Sequence, residues 1–493
     1  MPRTASLYHG TCEYGEAIAT EYDLVIVGMG SGGMVAAEFA ATLGLKVAVV
    51  ERSRVGGDCL WTGCVPSKAL LASAKAAHTI RHADHYGIGA SEPAIDLAAV
   101  WRRIRDVQAQ IAVTDDNPER YREMGLELVI GHARVSGPTQ VTVDGDRVLD
   151  ARFILLCTGS RPVEPDIPGL HDAGYLTSET LFEIESPPKS VVMIGGGPIA
   201  IEMAQGFTRL GVAVTVLQNG PGILPRDEAS LVAILQDRLR VEGVDLRLNA
   251  NATQVRVVEG RKVVTAEIGS GRGASAAVTT AEVSADDILV AVGRRPNVDD
   301  LGLEEVGVEI GLRGVPVDAR GRTSVKSIYA VGDIAGRYLF THSAGYEGVR
   351  AVRDMFFPGK GNVDDFIPWC TFTDPELAHA GLTSAEAEAK HGEDAEVWRM
   401  ELAHNDRART DGASEGAIVI VTAKQKIVGA HILSPAAGEL IHEPALAIRH
   451  GMKLSDLASL VHVYPTLATS IGMLAAESAF EKAQKYRWLV RRR

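Results

Sequence analysis

The chain has 493 residues, 46% hydrophobic and 23% charged, a folded globular composition that excludes disordered, collagenous and fibrous proteins. Acidic residues outnumber basic ones by 63 to 50, giving a net charge of −13. No block of clustered Lys and Arg is present to grip phosphate backbones, so no nucleic-acid partner is expected, and Arg491, Arg492 and Arg493 read as a solvated tail.

The length predicts about three domains. No run approaches the roughly 18 apolar residues of a spanning helix. Residues 1–20 carry Glu13 and Glu16 where a signal peptide needs an apolar core. Of five cysteines, Cys12, Cys157 and Cys370 are scattered, while Cys59 and Cys64 lie close together. A reducing, cytoplasmic setting is expected, and there a close Cys pair is catalytic or metal-binding rather than structural.

Taken in chain order, the first clear segment is residues 22–51. LVIV reads as a buried parallel strand. Gly28, Gly30 and Gly33 follow in G-x-G-x-x-G spacing, then an Ala-rich helix stopped by Gly44, then KVAVV ending in Glu51. The glycines permit a tight turn and close packing of helix on strand, and the helix N-terminus offers free N–H groups to a pyrophosphate. Glu51, 23 residues after Gly28, is placed to accept ribose hydroxyls.

Residues 56–68, GGDCLWTGCVPSK, hold Cys59 and Cys64 with four residues between them. In a regular helix that offset is a rise of about 7.5 Å. A disulfide needs Cα atoms roughly 4.4–6.8 Å apart. A bridge therefore requires a turn or distorted helix, which Gly63 permits. Pro66 suits the first turn of a helix carrying Ser67 and Lys68. A cysteine near a helix N-terminus has its thiolate favoured. Two buried thiols, or half of a metal site, are the alternatives. No second Cys pair or nearby His completes four zinc ligands, so no metal is expected.

The strand–glycine–helix–strand pattern recurs at 190–218. VVMI leads into Gly195 and Gly197, Ala200 holds the third position, and AVTVL ends in Gln218 where an acid is usual. Two units predict two dinucleotides. Residues 285–300 give a short strand running into Gly293-Arg-Arg-Pro, and 327–336 another ending in Gly332-Asp333. From about Asp365, VIV, KIVGAHIL and VHVYPTL read as strands between amphipathic helices, an α+β pattern. The stripe Leu440, Leu446, Ile448 reads as core.

A Cys pair after one dinucleotide unit, with a second unit downstream, resembles the flavoprotein pyridine nucleotide–disulfide oxidoreductases, which include dihydrolipoamide dehydrogenase, glutathione reductase and mercuric reductase. The resemblance runs from Tyr22 to about Glu481 through five motifs in family order. It implies an α/β fold with two Rossmann-like domains, for FAD and NAD(P), plus a C-terminal α+β dimerisation domain. The expected boundaries are 1–165 for the first FAD segment, 166–290 for NAD(P), 291–364 for the second FAD segment and 365–493 for the interface domain. FAD would be held through Gly28, Gly30, Gly33 and Glu51, with Thr158 and Gly159 in a turn approaching it and Asp333 on its ribityl chain. The nicotinamide cofactor would meet Gly195, Gly197, Ala200, Gln218 and Gly293. Cys64 would be the flavin-side thiolate and Cys59 the exchanging thiol, with Lys68 and Glu202 paired beside the flavin. A homodimer and a small-molecule electron acceptor are implied. The candidate acceptors are a disulfide such as lipoamide, a quinone or a metal ion. A non-catalytic redox-sensing subunit on the same fold is the reading from another class.

Three departures from the family pattern matter. The Cys segment usually reads GGTCLNxGCxPSK; here Asp58 replaces Thr and Trp61 replaces Asn. A carboxylate beside Cys59 is expected to raise that thiol's pKa, and Trp61 to narrow access, form a platform or simply pack. The family's disulfide reductases place a His before Pro-Thr-Leu and a Glu four residues after that Pro. Here Tyr464 and Thr469 stand there. Tyr, with a pKa near ~10, is a poor base, and His462, two residues earlier, shares its face if the segment is extended. Tyr464 and THSAGYEG at 341–348 look like mercuric reductase, but the C-terminal Cys pair and N-terminal Cys-x-x-Cys domain of those enzymes are absent. Gln218 selects neither nucleotide decisively. Arg226, and less so Arg209, are the candidates to meet a 2′-phosphate, which inclines the reading towards NADPH.

Overall fold

A computed structural model describes residues 21–269, 278–359 and 362–484. The expectations for residues 1–20, Cys12 and the Arg491–Arg493 tail lie outside these. The molecule is α/β, with three main sheets and two smaller ones.

The first sheet grows from the LVIV segment. Strand β1 (Tyr22–Val27) pairs in parallel with β2 (Val47–Glu51) in the register Leu24↔Val47, and with Arg147–Leu156 in the register Val27↔Leu156. Glu127–Ile130 and Ile328–Ala330 complete a five-stranded parallel core, and two antiparallel strands extend it. Helix α1 (Ser31–Thr42) packs on this sheet. The glycine spacing has a steric cause. Gly28 has φ +98°, and a Cβ there would fall 2.5 Å from the carbonyl oxygen of Cys157 on the neighbouring strand end. A Cβ on Gly33 would fall 2.0 Å from the carbonyl oxygen of Gly28, so only glycine lets the helix sit this close.

A second, wholly parallel sheet has the order 245–247, 213–217, 190–194, 287–290. Its glycine turn repeats the first: Gly195 has φ +117°, and a Cβ would meet the Ala291 carbonyl at 2.4 Å. A short antiparallel pair, Ser160–Pro162 with Arg294–Pro296, ties the two parallel sheets together.

The third main sheet is antiparallel, order 369–371, 376–381, 426–434, 417–423, 395–401, with helices packed on both faces. Two expectations are corrected here. VHVYPTL is not a strand; 461–468 is irregular. Its alternation of Val, Val and Tyr faces no partner strand, and Val461 and Val463 are exposed. Leu446 is likewise 58% exposed, while Leu440 and Ile448 pack on the core. The helix His442–Arg449 turns Ala445 and Ala447 inward instead. No helix among the described residues is long and apolar enough to cross a membrane.

The antiparallel register sets His379 opposite His431. The two rings lie 4.7 Å apart, and His379 stacks on Trp369 at 3.6 Å. Neither Nδ1 has a hydrogen-bond partner. Burial, with the neighbouring His431 and Arg226, pushes the His379 pKa down to about 3, and burial also lowers that of His431. Both rings are therefore neutral in the folded protein at neutral pH, whereas unfolded His titrates near ~6.5. Between these values the unfolded chain binds more protons, so this contribution is complete above ~6.5 and falls away as pH drops towards 3. Replacing His379 with Phe keeps the stack and removes the proton site. The melting temperature of His379→Phe should fall less steeply than that of the wild type between pH 6.5 and pH 4.5, and parallel curves would refute this.

Candidate active site

The two cysteines sit where one helix ends and another begins. Helix α2 (Gly57–Trp61) stops at Thr62, and α3 (Cys64–Arg81) starts after Gly63. The break removes the axial separation that a continuous helix imposes. Both are free thiols, close enough to act on each other's protonation. They are not alike. The neighbouring Cys59 thiol is the largest influence on Cys64 and, with the Thr341 hydroxyl and Lys68 assisting against burial, lowers its pKa to about 6. The neighbouring Cys64, and then burial, raise the Cys59 thiol well above its ordinary value. Cys64 is thus the thiolate of the pair at neutral pH.

Lys68, one turn along α3, puts its Nζ 2.9 Å from Oε2 of Glu202, on the helix Pro198–Arg209 of the second unit. Oε1 of the same carboxylate accepts the backbone N–H of Phe372 at 2.9 Å, and Nζ lies 4.4 Å above the Phe372 ring. Three parts of the chain meet on one buried carboxylate.

These groups line a single cavity of 1730 Å³. It is larger than the roughly 300–1,000 Å³ of a pocket for one small ligand. Gly28, Gly30, Glu51, Cys59, Cys64, Lys68, Thr158, Gly159 and Asp333 line it from one side, and Gly195, Gly197, Glu202, Gln218 and Gly293 from the other. Gly33 and Ala200 do not line it. Each is packed behind its glycine turn, with Ala200 fully buried, so their part is to bring helix against strand. Glu51 accepts the Met29 N–H at 2.7 Å and the Ser53 N–H at 2.9 Å, which fixes its carboxylate beside the first glycine turn. Asp333 is held by the Ser160 hydroxyl. The residues fit two dinucleotides: each half has a glycine turn that a Cβ would fill, at the N-terminus of a helix. Among the described residues no group of three or more His, Cys, Asp or Glu could hold a metal.

The remaining candidate residues have partners of their own, and Trp61 takes the packed alternative. Asp58 is not among the main influences on the Cys59 pKa. It bonds the guanidinium of Arg294 and accepts the Thr62 hydroxyl at 2.9 Å; the carboxylate that bears on Cys59 is Asp116. Trp61 is packed: its indole N–H bonds the Val55 carbonyl at 2.8 Å, and the Arg54 guanidinium covers the ring at 4.2 Å. Arg209 cannot meet a phosphate, since it is buried in ion pairs of 2.7 Å with Glu242 and Asp374. Arg226 lies over the Trp369 ring at 4.7 Å, and Gln218 donates to the Gly222 carbonyl at 3.1 Å.

Tyr464 and His462 are not in the cavity that holds the cysteines of their own chain, and they do not share a face. Tyr464 is 71% exposed and donates to Asp406 at 3.0 Å. His462 turns inward against Gly472, its Nε2 3.0 Å from Glu443. Thr469 is engaged by the side-chain amide of Asn405 at 3.1 Å.

Residues 22–348 match the family described as pyridine nucleotide-disulphide oxidoreductase, and residues 367–475 match its dimerisation domain. The chain belongs to this family, whose members are FAD-dependent oxidoreductases using NAD(P)H. It is 36% identical over 471 residues to a dihydrolipoyl dehydrogenase of Thermus scotoductus, covering 94% of this chain and 98% of the relative. It is also 36% identical over 470 residues to that of Geobacillus stearothermophilus, covering 94% and 97%. Among solved structures, the HOCl-induced flavoprotein disulfide reductase RclA of Escherichia coli superposes with a TM-score of 0.79 at 25% identity, covering 92% of this chain and 99% of that one. Its Cu(II) complex superposes with a TM-score of 0.80.

Sequence reading missed Thr341. It opens the helix Thr341–Phe356, and its hydroxyl lies 3.4 Å from the Cys64 sulfur. With Cys64 ionised, that hydroxyl is the donor. Only proximity 277 residues along the chain makes the contact, and no local pattern announces it. Thr341→Val removes the donor at constant shape. The pH midpoint of Cys64 alkylation by iodoacetamide should rise from about 6 towards the free-thiol value of ~8.5, and Thr341→Ser should restore it; an unmoved midpoint in the Val variant would show that the hydroxyl contributes nothing.

Proposed function

We propose that Cys59 and Cys64 are the redox-active pair of this NAD(P)H oxidoreductase, passing electrons from the nicotinamide through flavin to a small-molecule acceptor. The observation that carries the reading is geometric: both thiols line the same cavity as the Lys68–Glu202 ion pair, and the Thr341 hydroxyl lies 3.4 Å from the Cys64 sulfur, a setting that lowers the pKa of Cys64 while that of Cys59 is raised. Flavin, when bound, supplies the two-electron chemistry between nicotinamide and thiols. Oxidising the pair forms one S–S bond and releases two electrons and the Cys59 proton, Cys64 being already ionised. Lys68, held by Glu202, offers a fixed positive charge to that thiolate. The glycine turns and Glu51 position the dinucleotides, and Asp333 the flavin's polar chain. The expected domain boundaries, a cytoplasmic setting and a homodimer belong to the same reading. The dimer draws support from the dimerisation-domain match and from the exposed Val461, Val463 and Tyr464 in that region.

The acceptor follows from how Cys59 can lose its proton. With its pKa raised, Cys59 needs a base to exchange with a disulfide, and general-base help is worth about 10²–10⁴-fold. Tyr464 and Thr469 supply none. Lipoamide turnover should therefore be weak by that order, although the relatives named above are dihydrolipoyl dehydrogenases. Acceptors that bypass thiol exchange, such as quinones, escape the penalty. Cupric and mercuric ions form a second arm, since thiolates are soft ligands and the Escherichia coli relative was solved as a Cu(II) complex. The test is a panel of lipoamide, glutathione disulfide, quinones and both ions. Tyr464→His with Thr469→Glu should raise lipoamide turnover more than quinone turnover. Efficient lipoamide turnover by the wild type that disappears in His462→Ala would instead make the His462–Glu443 pair the base.

Nucleotide choice should be modest. Gln218 carries no charge to repel a 2′-phosphate, and Arg226 is stacked on Trp369. Gln218→Glu should shift kcat/KM towards NADH by bonding the ribose and repelling the phosphate. Rejection of either nucleotide by orders of magnitude in the wild type would sink this reading.

A further inference from the structure

Asp58 stands at an awkward place for an acid. The residue before it, Gly57, lies directly on the middle glycine of the first triplet: a Cβ on Gly57 would come within 2.6 Å of the Gly30 Cα. The start of α2 therefore sits beside the N-terminus of α1, where a dinucleotide pyrophosphate is received. Asp58 lines that cavity with its side chain 45% exposed. An ionised carboxylate there repels a phosphate.

Arg294 is built to answer it. It opens the short strand Arg294–Pro296 that pairs with Ser160–Pro162 of the first unit, and its side chain is only 15% exposed. One Nη bonds the Asp58 carboxylate and the Ser160 carbonyl, the latter at 2.8 Å. Its Nε donates to the Ser160 hydroxyl at 2.7 Å and lies 3.8 Å from Asp333. The other Nη reaches the Ser178 hydroxyl at 3.3 Å. One guanidinium thus serves two carboxylates that face the same cavity. Glu179, whose pKa is raised by burial, and Arg52 and Arg161 complete the charged surroundings.

We infer that Arg294 is the counter-ion that lets a chain with a carboxylate at position 58 bind its flavin, so that Asp58 and Arg294 act on flavin affinity as one unit. The inference rests on the first glycine triplet being the flavin site. Removing Arg294 alone leaves the half-exposed Asp58 charge uncompensated beside the phosphates; removing both charges does not.

Flavin dissociation constants of the reconstituted full chain, read by flavin fluorescence, test this. Arg294→Met should weaken flavin binding about tenfold. Asp58→Asn, which keeps the shape of the side chain, should bind flavin as tightly as the wild type or more tightly. The double variant should recover most of the loss. Flavin binding weakened tenfold in Asp58→Asn, or a double variant no tighter than Arg294→Met, overturns the inference. Asp58→Asn decides the matter alone should Arg294→Met not fold. Glu51→Ala is the control for the site: unaltered flavin affinity there would remove the flavin from the first triplet, whatever the pair does.

Discussion

The active-site arrangement depends on one buried carboxylate, Glu202. Its two oxygens bind Lys68 of the first parallel unit and the Phe372 N–H at the edge of the antiparallel sheet, while its own helix belongs to the second unit. Neighbours on the same helix repeat the pattern, Gln205 and Arg209 both bonding Asp374. Such pairs add little net stability, because desolvation offsets attraction. Their value is geometric. A carboxylate that must be satisfied from two directions fixes where three parts of the chain meet, and the cavity lies between those parts.

The thiols acquire different chemistry from that placement. Two cysteines five positions apart in sequence would be equivalent in an unfolded chain. In the fold, one begins a helix and lies by Lys68 and the Thr341 hydroxyl, which favour its thiolate; the other, half-buried beside it, has its pKa pushed up. Asymmetry of this kind separates a thiol that exchanges electrons from one that needs help to exchange sulfur.

The aromatic layer at the antiparallel edge joins the two nucleotide halves to this centre. Trp369 lies under Arg226, over His379 and beside Phe340, which stacks on His342 next to Thr341. The Asp227 carboxylate, its pKa raised to about 6 by burial, accepts the Trp369 indole N–H at 2.9 Å. The loop leaving the second nucleotide strand and the helix that carries the Cys64 hydrogen bond thus lean on one ring.

What the sequence determined by itself was whatever short-range geometry dictates. Gly33 is required by a backbone contact within its own strand–helix unit, and Gly28 and Gly195 by a positive φ at the turn, although the carbonyls a Cβ there would strike belong to the distant Cys157 and Ala291. The break at Gly63 is announced by a cysteine spacing that a straight helix cannot bridge. Lys68 and Glu202, 134 residues apart, were legible only because the motifs around them resemble a known family. Tertiary structure alone decided the rest. Asp58 is adjacent to Cys59 in the chain yet is drawn to Arg294, 236 residues away. Arg209, by sequence a candidate to meet a 2′-phosphate, is enclosed by Glu242 and Asp374. The alternating VHVYPTL segment finds no strand to pair with and separates His462 from Tyr464. Steric rules act over a few bonds and can be read along the chain, whereas a charge or a lone strand takes its meaning from partners that only folding brings within reach.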